Sequence, residues 1–169
     1  MHDLYLGLGS NLGNKKEIIQ KAVLAIEKQI GRVIALSSLY ETKPMGFESE
    51  NIFINAACHV KTNLQPLDVL EKTQSIEREM GRISKSLGGV YADRLIDIDL
   101  LLFDSLIAEH QHLILPHPQL HTRSFVLFPL ADIAANVIHP VLHQTISQLK
   151  DNLVLIIDGN NEIPPVPIS

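Results

Sequence analysis

The spacing of apolar residues divides the chain into strands and helices. Alternating or wholly apolar runs predict strands at residues 4–8, 32–40, 52–61, 95–103 and 154–157, with a short apolar piece at 113–115. Spacings of three and four predict helices at residues 14–30, 66–80, 124–134 and 145–149. The order strand-helix-strand-strand-helix-strand predicts an α+β, ferredoxin-like sandwich, with helices packed on a mainly antiparallel sheet and a C-terminal extension.

Length and composition indicate a soluble globular chain. Its 169 residues are 46% hydrophobic and 20% charged, which favours a single domain over residues 1–160. The Pro-rich tail at 161–169 has no core-forming pattern and is expected to be mobile. A net charge of -5 argues against nucleic acid as a partner. No targeting or membrane-length segment stands out, so a cytoplasmic location is expected. The protein is also expected to be a monomer. Its one cysteine, Cys58, is expected to be buried and cannot form an intrachain disulfide framework.

The predicted strand at 95–103 holds two aspartates in an apolar run. An ionised carboxylate removed from water is unfavourable unless it meets a cation or strong donors. Asp97 and Asp99 are two residues apart, so on a strand they point to one face with Cα atoms roughly 6.6 Å apart. Such a pair can hold Mg²⁺ ions, which take their other oxygens from water and substrate phosphates. A buried salt bridge to Arg82 or Arg94 is the structural alternative.

Three cations belong to the segment that leads into this strand. Arg82 and Arg94 bracket a loop that contains Lys85 and Gly88-Gly89. Guanidinium groups match phosphate geometry in a bidentate way, and a glycine-containing loop can close over a nucleotide. These cations predict phosphate contacts, with an ordinary solvated loop as the alternative.

Four histidines crowd one later region: His110, His112, His117 and His121. A zinc site is one interpretation, but the spacings match no familiar zinc pattern and no cysteine lies near. His117 stands between two prolines, and a histidine so restricted can hydrogen-bond a phosphate or a leaving group.

Two further motifs could bind ligand. The glycine-containing segment at 9–13 resembles a phosphate-cradling turn, but it lacks the endings of the known phosphate motifs, and a plain strand-to-helix turn is the better interpretation. Asn55 follows Phe53 by two residues on one strand face. An amide beside an aromatic ring can bind a flat heterocycle, although the pair is also common in protein cores.

Together these motifs resemble the 6-hydroxymethyl-7,8-dihydropterin pyrophosphokinase family of folate biosynthesis, from Gly9 to about residue 149. The strings that carry the resemblance are LGSNLG at 8–13, FINAA at 53–57, Gly81-Arg82, DRLIDIDLLLF at 93–103, LPHP at 115–118 and Arg123-Ser124-Phe125. The aspartate strand followed by a proline-flanked histidine is the most specific of these features.

The resemblance implies roles for individual residues. Asp97 and Asp99 would hold two Mg²⁺ ions on the phosphates of ATP, the co-substrate, and Arg82 and Arg94 would be catalytic phosphate-binding arginines. With the loop lysine included, the implied ATP contacts are Gln74, Glu77, Lys85, His117 and Arg123. The implied pterin pocket is Thr42, Phe53, Asn55 and Phe125. The reaction would transfer the pyrophosphoryl group of ATP to the hydroxymethyl oxygen of the pterin and release AMP, mainly by alignment and charge neutralisation.

Several positions depart from the family pattern. Ser84 stands where an arginine often follows the first catalytic arginine by two residues, and His112 stands where a nucleotide-contacting arginine often precedes the short strand. Pro118 replaces a common tyrosine, and Tyr91-Ala92-Asp93 replaces a Trp-Gly-Pro lead into the second arginine. The lost guanidinium charges predict weaker ATP binding.

Two other functions are compatible with the same residues. A non-catalytic ferredoxin-like sensor would bind nucleotide or metal without turnover. A histidine-rich zinc hydrolase would use the histidine region instead. AMP release and metal analysis separate these possibilities from the pyrophosphokinase.

Overall fold

A computed structural model describes residues 1–42, 52–81 and 95–168. The strands in these ranges are β1 (His2–Ser10), β2 (Arg32–Leu36), β3 (Leu39–Thr42), β4 (Phe53–Thr62), β5 (Asp97–Phe103), β6 (Ala108–His110), β7 (Leu113–Leu115) and β8 (Val166–Ile168). The helices are α1 (Lys15–Gln29), α2 (Pro66–Glu79), α3 (Ser124–Ala134) and α4 (Ile146–Gly159). Within the same ranges, no helix combines the length and the apolar character needed to cross a membrane.

Six of the strands form one antiparallel sheet. Its order is β5-β1-β4-β3-β8, with β2 also paired to β4, while β6 and β7 pair separately. The central strand β1 therefore lies between β4 and the aspartate strand β5. This strand order, with α1 and α2 as the crossing helices, is the predicted ferredoxin-like α+β arrangement, and the fold prediction is confirmed.

Helices cover both faces of the sheet because alternate strand residues are apolar on both sides. On one face, Leu6 and Ile98 join the core that Ile26 of α1 and Ile76 of α2 complete. On the other face, a second core includes Tyr5, Ala57 and Leu101 from the sheet, together with α3 and α4.

The boundaries of α1 and α2 follow the predicted signals closely. Asn14 caps α1 by accepting a hydrogen bond from the Glu17 backbone N–H at 3.3 Å. Gly81 follows α2 with φ of 93°, a conformation that favours glycine, so the predicted stop is confirmed. Residues 32–40 differ from the prediction, because the structure forms two strands there. Ser37 separates them, and its hydroxyl accepts from the Ala57 N–H at 2.9 Å.

The C-terminal region contains the largest error of the sequence prediction. Residues 154–157 do not form a strand, because they lie inside α4. The Thr145 hydroxyl and the Gln148 side chain form a reciprocal capping box at its start. Leu149, Leu153 and Ile157 then bury one helical stripe. Tertiary burial and the cap override the local β-branched preference.

The tail contains a strand that no pattern in the sequence predicted. Val166–Ile168 forms β8, which pairs antiparallel with β3 at the end of the sheet. Pro167 is compatible with this position because prolines are tolerated on edge strands. Pro165, just before the strand, is buried.

Candidate active site

A row of cross-strand partners aligns β5, which carries the two aspartates, with β4, which carries Asn55. Asp97 of β5 pairs with Gly9 of β1, Gly9 pairs with Asn55 of β4, and Asn55 pairs with Tyr40 of β3. Directly paired residues project from the same face, and Asp99 shares it as the next alternate residue. The two carboxylates and the amide therefore lie on one face, the face on which α3 and α4 pack.

Because Gly9 has no side chain, the Asn55 amide can lie close to β1. A Cβ atom at Gly9 would lie 2.9 Å from Asn55 Oδ1 and 4.0 Å from Phe53 Cδ1. Asn55 is 7% exposed, and its Nδ2 donates to Thr42 Oγ1 at 2.9 Å. Thr42, Phe53 and Asn55, three residues of the predicted pterin pocket, thus lie together on the sheet face around Gly9. This surface, with Gly9 as its floor, is called the hollow above Gly9.

Further predicted residues lie along the segment that leads into α3. The His117 backbone N–H donates to the Leu101 carbonyl at 2.9 Å, which ties this segment to the aspartate strand. Arg123 immediately precedes α3, and its guanidinium carbon lies 5.6 Å from the centroid of the Phe125 ring. This is a cation–π distance, so the charge and the ring hold each other in place.

The electrostatic setting of His117 connects this segment to the aspartates. Burial lowers the pKa of His117, the Arg123 guanidinium lowers it further, and the Asp97 carboxylate opposes both effects. The Gln119 backbone N–H donates to His117 Nδ1 at 3.1 Å. A neutral ring that accepts at Nδ1 carries its proton on Nε2, so His117 offers one N–H donor at neutral pH.

The two predicted residues of α2 lie on the other layer. The buried Glu77 accepts from the Ile98 backbone N–H at 3.1 Å, between the two aspartates of β5. Gln74 is exposed on the same helix. The structure therefore gives Glu77 a role in fixing the aspartate strand, and the ATP contacts of both residues stay predictions.

The remaining predicted residues, Arg82, Lys85 and Arg94, lie outside the described residues. The departures at Ser84 and at 91–93 also lie there. Their assignment as phosphate-binding groups rests on the sequence.

The histidines do not assemble as a zinc site. Across residues 1–42, 52–81 and 95–168, no three His, Cys, Asp or Glu side chains come together as metal ligands. His110 instead lies beside His112, with ring centroids 5.8 Å apart, and His121 lies beside His139 at 6.0 Å. The zinc hydrolase therefore has no ligand set in the described part of the chain.

The chemistry of the aspartate pair does fit Mg²⁺. This ion binds few protein carboxylates and keeps oxygen ligands from water and phosphate. Asp97 and Asp99 supply hard oxygen donors from one strand face, and both are partly exposed, so water and a polyphosphate can reach them.

Two features of the site were not recognised in the sequence. Gly9 was assigned to a turn, but β1 extends through Ser10 and places it in the sheet. Asp132 of α3 accepts from the Tyr40 hydroxyl at 2.9 Å and from the Ser38 N–H at 3.2 Å, which anchors the start of β3. Alternating glycines in a predicted strand could have indicated the hollow, whereas the Asp132 contact has no local signal.

The fold and the site together define a ferredoxin-like α+β protein whose sheet carries a carboxylate pair, an amide and an aromatic ring on one face. The sequence profile described as 7,8-dihydro-6-hydroxymethylpterin-pyrophosphokinase (HPPK) matches residues 5–135. The chain belongs to this family.

Relatives from several organisms support the assignment. The chain is 48% identical over 132 residues to a 2-amino-4-hydroxy-6-hydroxymethyldihydropteridine pyrophosphokinase of Porphyromonas gingivalis, covering 78% of this chain and 90% of the relative. It is 41% identical over 134 residues to the protein of that name from Bacillus subtilis, covering 79% and 78%. It is also 41% identical to the folic acid synthesis protein FOL1 of Dictyostelium discoideum, covering 97% of this chain but 24% of that longer protein.

Solved structures agree on the fold. A Plasmodium falciparum HPPK-DHPS crystal structure superposes with a TM-score of 0.78 at 19% identity, covering 96% of this chain and 45% of that chain. The likeness at this identity concerns the fold, and the chain spans less than half of the matched protein.

Proposed function

We propose that this protein transfers the pyrophosphoryl group of ATP to the hydroxymethyl group of 6-hydroxymethyl-7,8-dihydropterin and releases AMP. One observation carries the proposal: the register of β5, β1 and β4 aligns Asp97 with the Asn55 amide across the side-chain-free Gly9. Adjacent strands are about 4.8 Å apart, so the two groups lie roughly 10 Å apart across the hollow. This arrangement supports a phosphate-binding side and a heterocycle-binding side on one face.

The pterin side is supported by the orientation of Asn55. Its Nδ2 is engaged by Thr42, which fixes the amide plane, and Oδ1 is directed toward the space above Gly9. A fixed amide can pair with the polar edge of a pterin, while Phe53 and Phe125 supply apolar surfaces for the faces of the ring.

The phosphate side combines carboxylates with positive and neutral donors. Asp97 and Asp99 would hold two Mg²⁺ ions, which when bound neutralise phosphate charge and polarise the phosphoryl oxygens. Arg123 supplies a fixed positive charge, and the neutral His117 supplies a hydrogen-bond donor without a second charge. Further positive charge around the ATP phosphates would come from Arg82, Lys85 and Arg94.

The proposed step exchanges one bond for another. The hydroxymethyl oxygen bonds to the β-phosphorus of ATP, and the bond from that phosphorus to the oxygen that bridges to the α-phosphorus breaks. AMP leaves with the bridging oxygen, and the hydroxyl proton passes to solvent. The protein lowers the barrier mainly by holding the two substrates in line and by stabilising charge.

The proposal includes two Mg²⁺ ions, a monomeric chain and a cytoplasmic location, each of which stays a prediction from the sequence. AMP release tests the activity most simply. We expect AMP when ATP, Mg²⁺ and the reduced hydroxymethylpterin are all present, and none when the pterin or the metal is omitted. ATP binding without AMP release under a full supply of pterin would instead indicate a nucleotide sensor.

A further inference from the structure

The C-terminal strand β8 covers the outer edge of β3 beside the proposed pterin pocket. Leu39 pairs with Ile168, and Glu41 pairs with Val166. The next residue of β3 is Thr42, the hydrogen-bond partner of Asn55. β8 therefore ends its pairing one residue before the pocket.

The position of β3 needs support from more than one neighbour. The strand has four residues, and it is the last one ahead of the segment 43–51, which lies outside the described residues. Short strands at a sheet edge have few contacts and open at low free-energy cost. Here β4 pairs along one side and β8 along the other, while Asp132 binds the Tyr40 hydroxyl.

Side-chain packing holds β8 in place in addition to its backbone pairing with β3. Ile168 packs against the core that α1 and α2 cover, together with Leu39 of the paired strand. Val166, on the same strand, is 53% exposed. Ile168 is thus anchored and Val166 is largely solvated, so the two residues form a matched pair for mutation.

The strand lies outside the part of the chain that the family profile matches, which ends at residue 135. Neither the profile nor the site residues implied by the family resemblance assign β8 a role. Its contact with the strand that carries Thr42 indicates one.

We propose that β8 holds β3 in the register that presents Thr42 to Asn55, and that Ile168 is a positioning residue for pterin binding. The inference rests on the proposed function, because it takes the hollow above Gly9 as the pterin site. It predicts an effect on the pterin side and not on the phosphate side, since β5 lies at the opposite edge of the sheet.

A substitution in the full chain and a truncation test the proposal. Ile168→Asp introduces a charge at the anchored position and should release β8, and a chain ending at Glu162 lacks the strand. Val166→Asp is the matched control, since its new charge stays in water. Calorimetry measures the Kd for the reduced hydroxymethylpterin and, separately, the Kd for ATP, and circular dichroism checks folding.

We expect the pterin Kd to rise about three- to tenfold in Ile168→Asp and in the truncated chain, the effect of about one net hydrogen bond. The ATP Kd should stay within about twofold in both, and Val166→Asp should leave both values within the same limit.

An unchanged pterin Kd in folded Ile168→Asp would overturn the proposal. Equal increases in both dissociation constants would also overturn it, because they would indicate general loosening. Failure of both variants to fold would overturn it too, because β8 would then serve the stability of the whole fold and not the pterin side. The proposed function fails separately, if the unmodified protein releases no AMP with both substrates.

Discussion

The contact between Gly9 and Asn55 yields a sharp prediction for the pterin side of the site. In Gly9→Ala the new methyl group would lie 2.9 Å from Asn55 Oδ1. Favourable contacts between heavy atoms lie at about 3.5–4.0 Å, so the amide must move by roughly half an ångström or more. Because β4 lies between β1 and β3, the amide is pushed toward Thr42 Oγ1, which is only 2.9 Å from Nδ2. Oδ1 then leaves the position from which we propose that it faces the pterin.

The structure sets the size of the effect. A net hydrogen bond contributes about 0.5–1.5 kcal/mol, and a shift of this size takes Oδ1 out of effective geometry for its proposed bond to the pterin. We therefore expect the KM for the pterin to rise about two- to twelvefold, while the KM for ATP changes little.

Gly7→Ala provides a matched control on the same strand. A Cβ atom at Gly7 would lie 3.5 Å from the Leu101 side chain, an ordinary contact, so no partner has to move. Both variants are assayed by AMP release, with pterin varied at saturating ATP and then ATP varied at saturating pterin. Equal pterin KM values for Gly9→Ala and Gly7→Ala would refute the assignment of the hollow.

Three further predictions concern charge. Asp97→Asn should lower kcat by about a hundredfold or more, because it removes a charge that we propose holds Mg²⁺, while circular dichroism shows a retained fold; substantial activity would refute the metal assignment. His117 and His139 have pKa values lowered chiefly by burial, so the folded state favours their neutral forms. Their contribution to the free energy of unfolding should be fully present above about pH 6.5 and should be lost as the pH falls below it, by up to about 1.4 kcal/mol per pH unit for each histidine. Urea unfolding at several pH values measures this free energy, and a larger value at pH 5.5 than at pH 7.5 would contradict the prediction. The family pattern predicts that His112→Arg lowers the Kd for ATP up to about fivefold at low salt, as seen by calorimetry, and an unchanged Kd would exclude that contact.

The sequence predicted those features that depend on local periodicity. Asp97 and Asp99 share a face because strand residues alternate, and this holds in any environment that keeps the strand. The starts of α1 and α2 and the stop at Gly81 were likewise predictable, since capping and backbone preferences act over a few residues.

The features that were not predicted depend on long-range contacts. The run at 154–157 has strand-like composition, but the core beneath α4 decides its conformation. β8 exists because β3 offers it an edge more than a hundred residues earlier in the chain. The hollow above Gly9 depends on the register of β1 with β4, which alternation within either strand does not specify.

The identity of the products tests the central claim most directly. After incubation of the protein with ATP, Mg²⁺ and the reduced hydroxymethylpterin, ³¹P NMR and mass spectrometry identify both products. We predict AMP together with a pterin that carries two linked phosphates on its hydroxymethyl oxygen. ADP together with a pterin monophosphate, or unchanged substrates with an enzyme shown to be folded, would contradict the account.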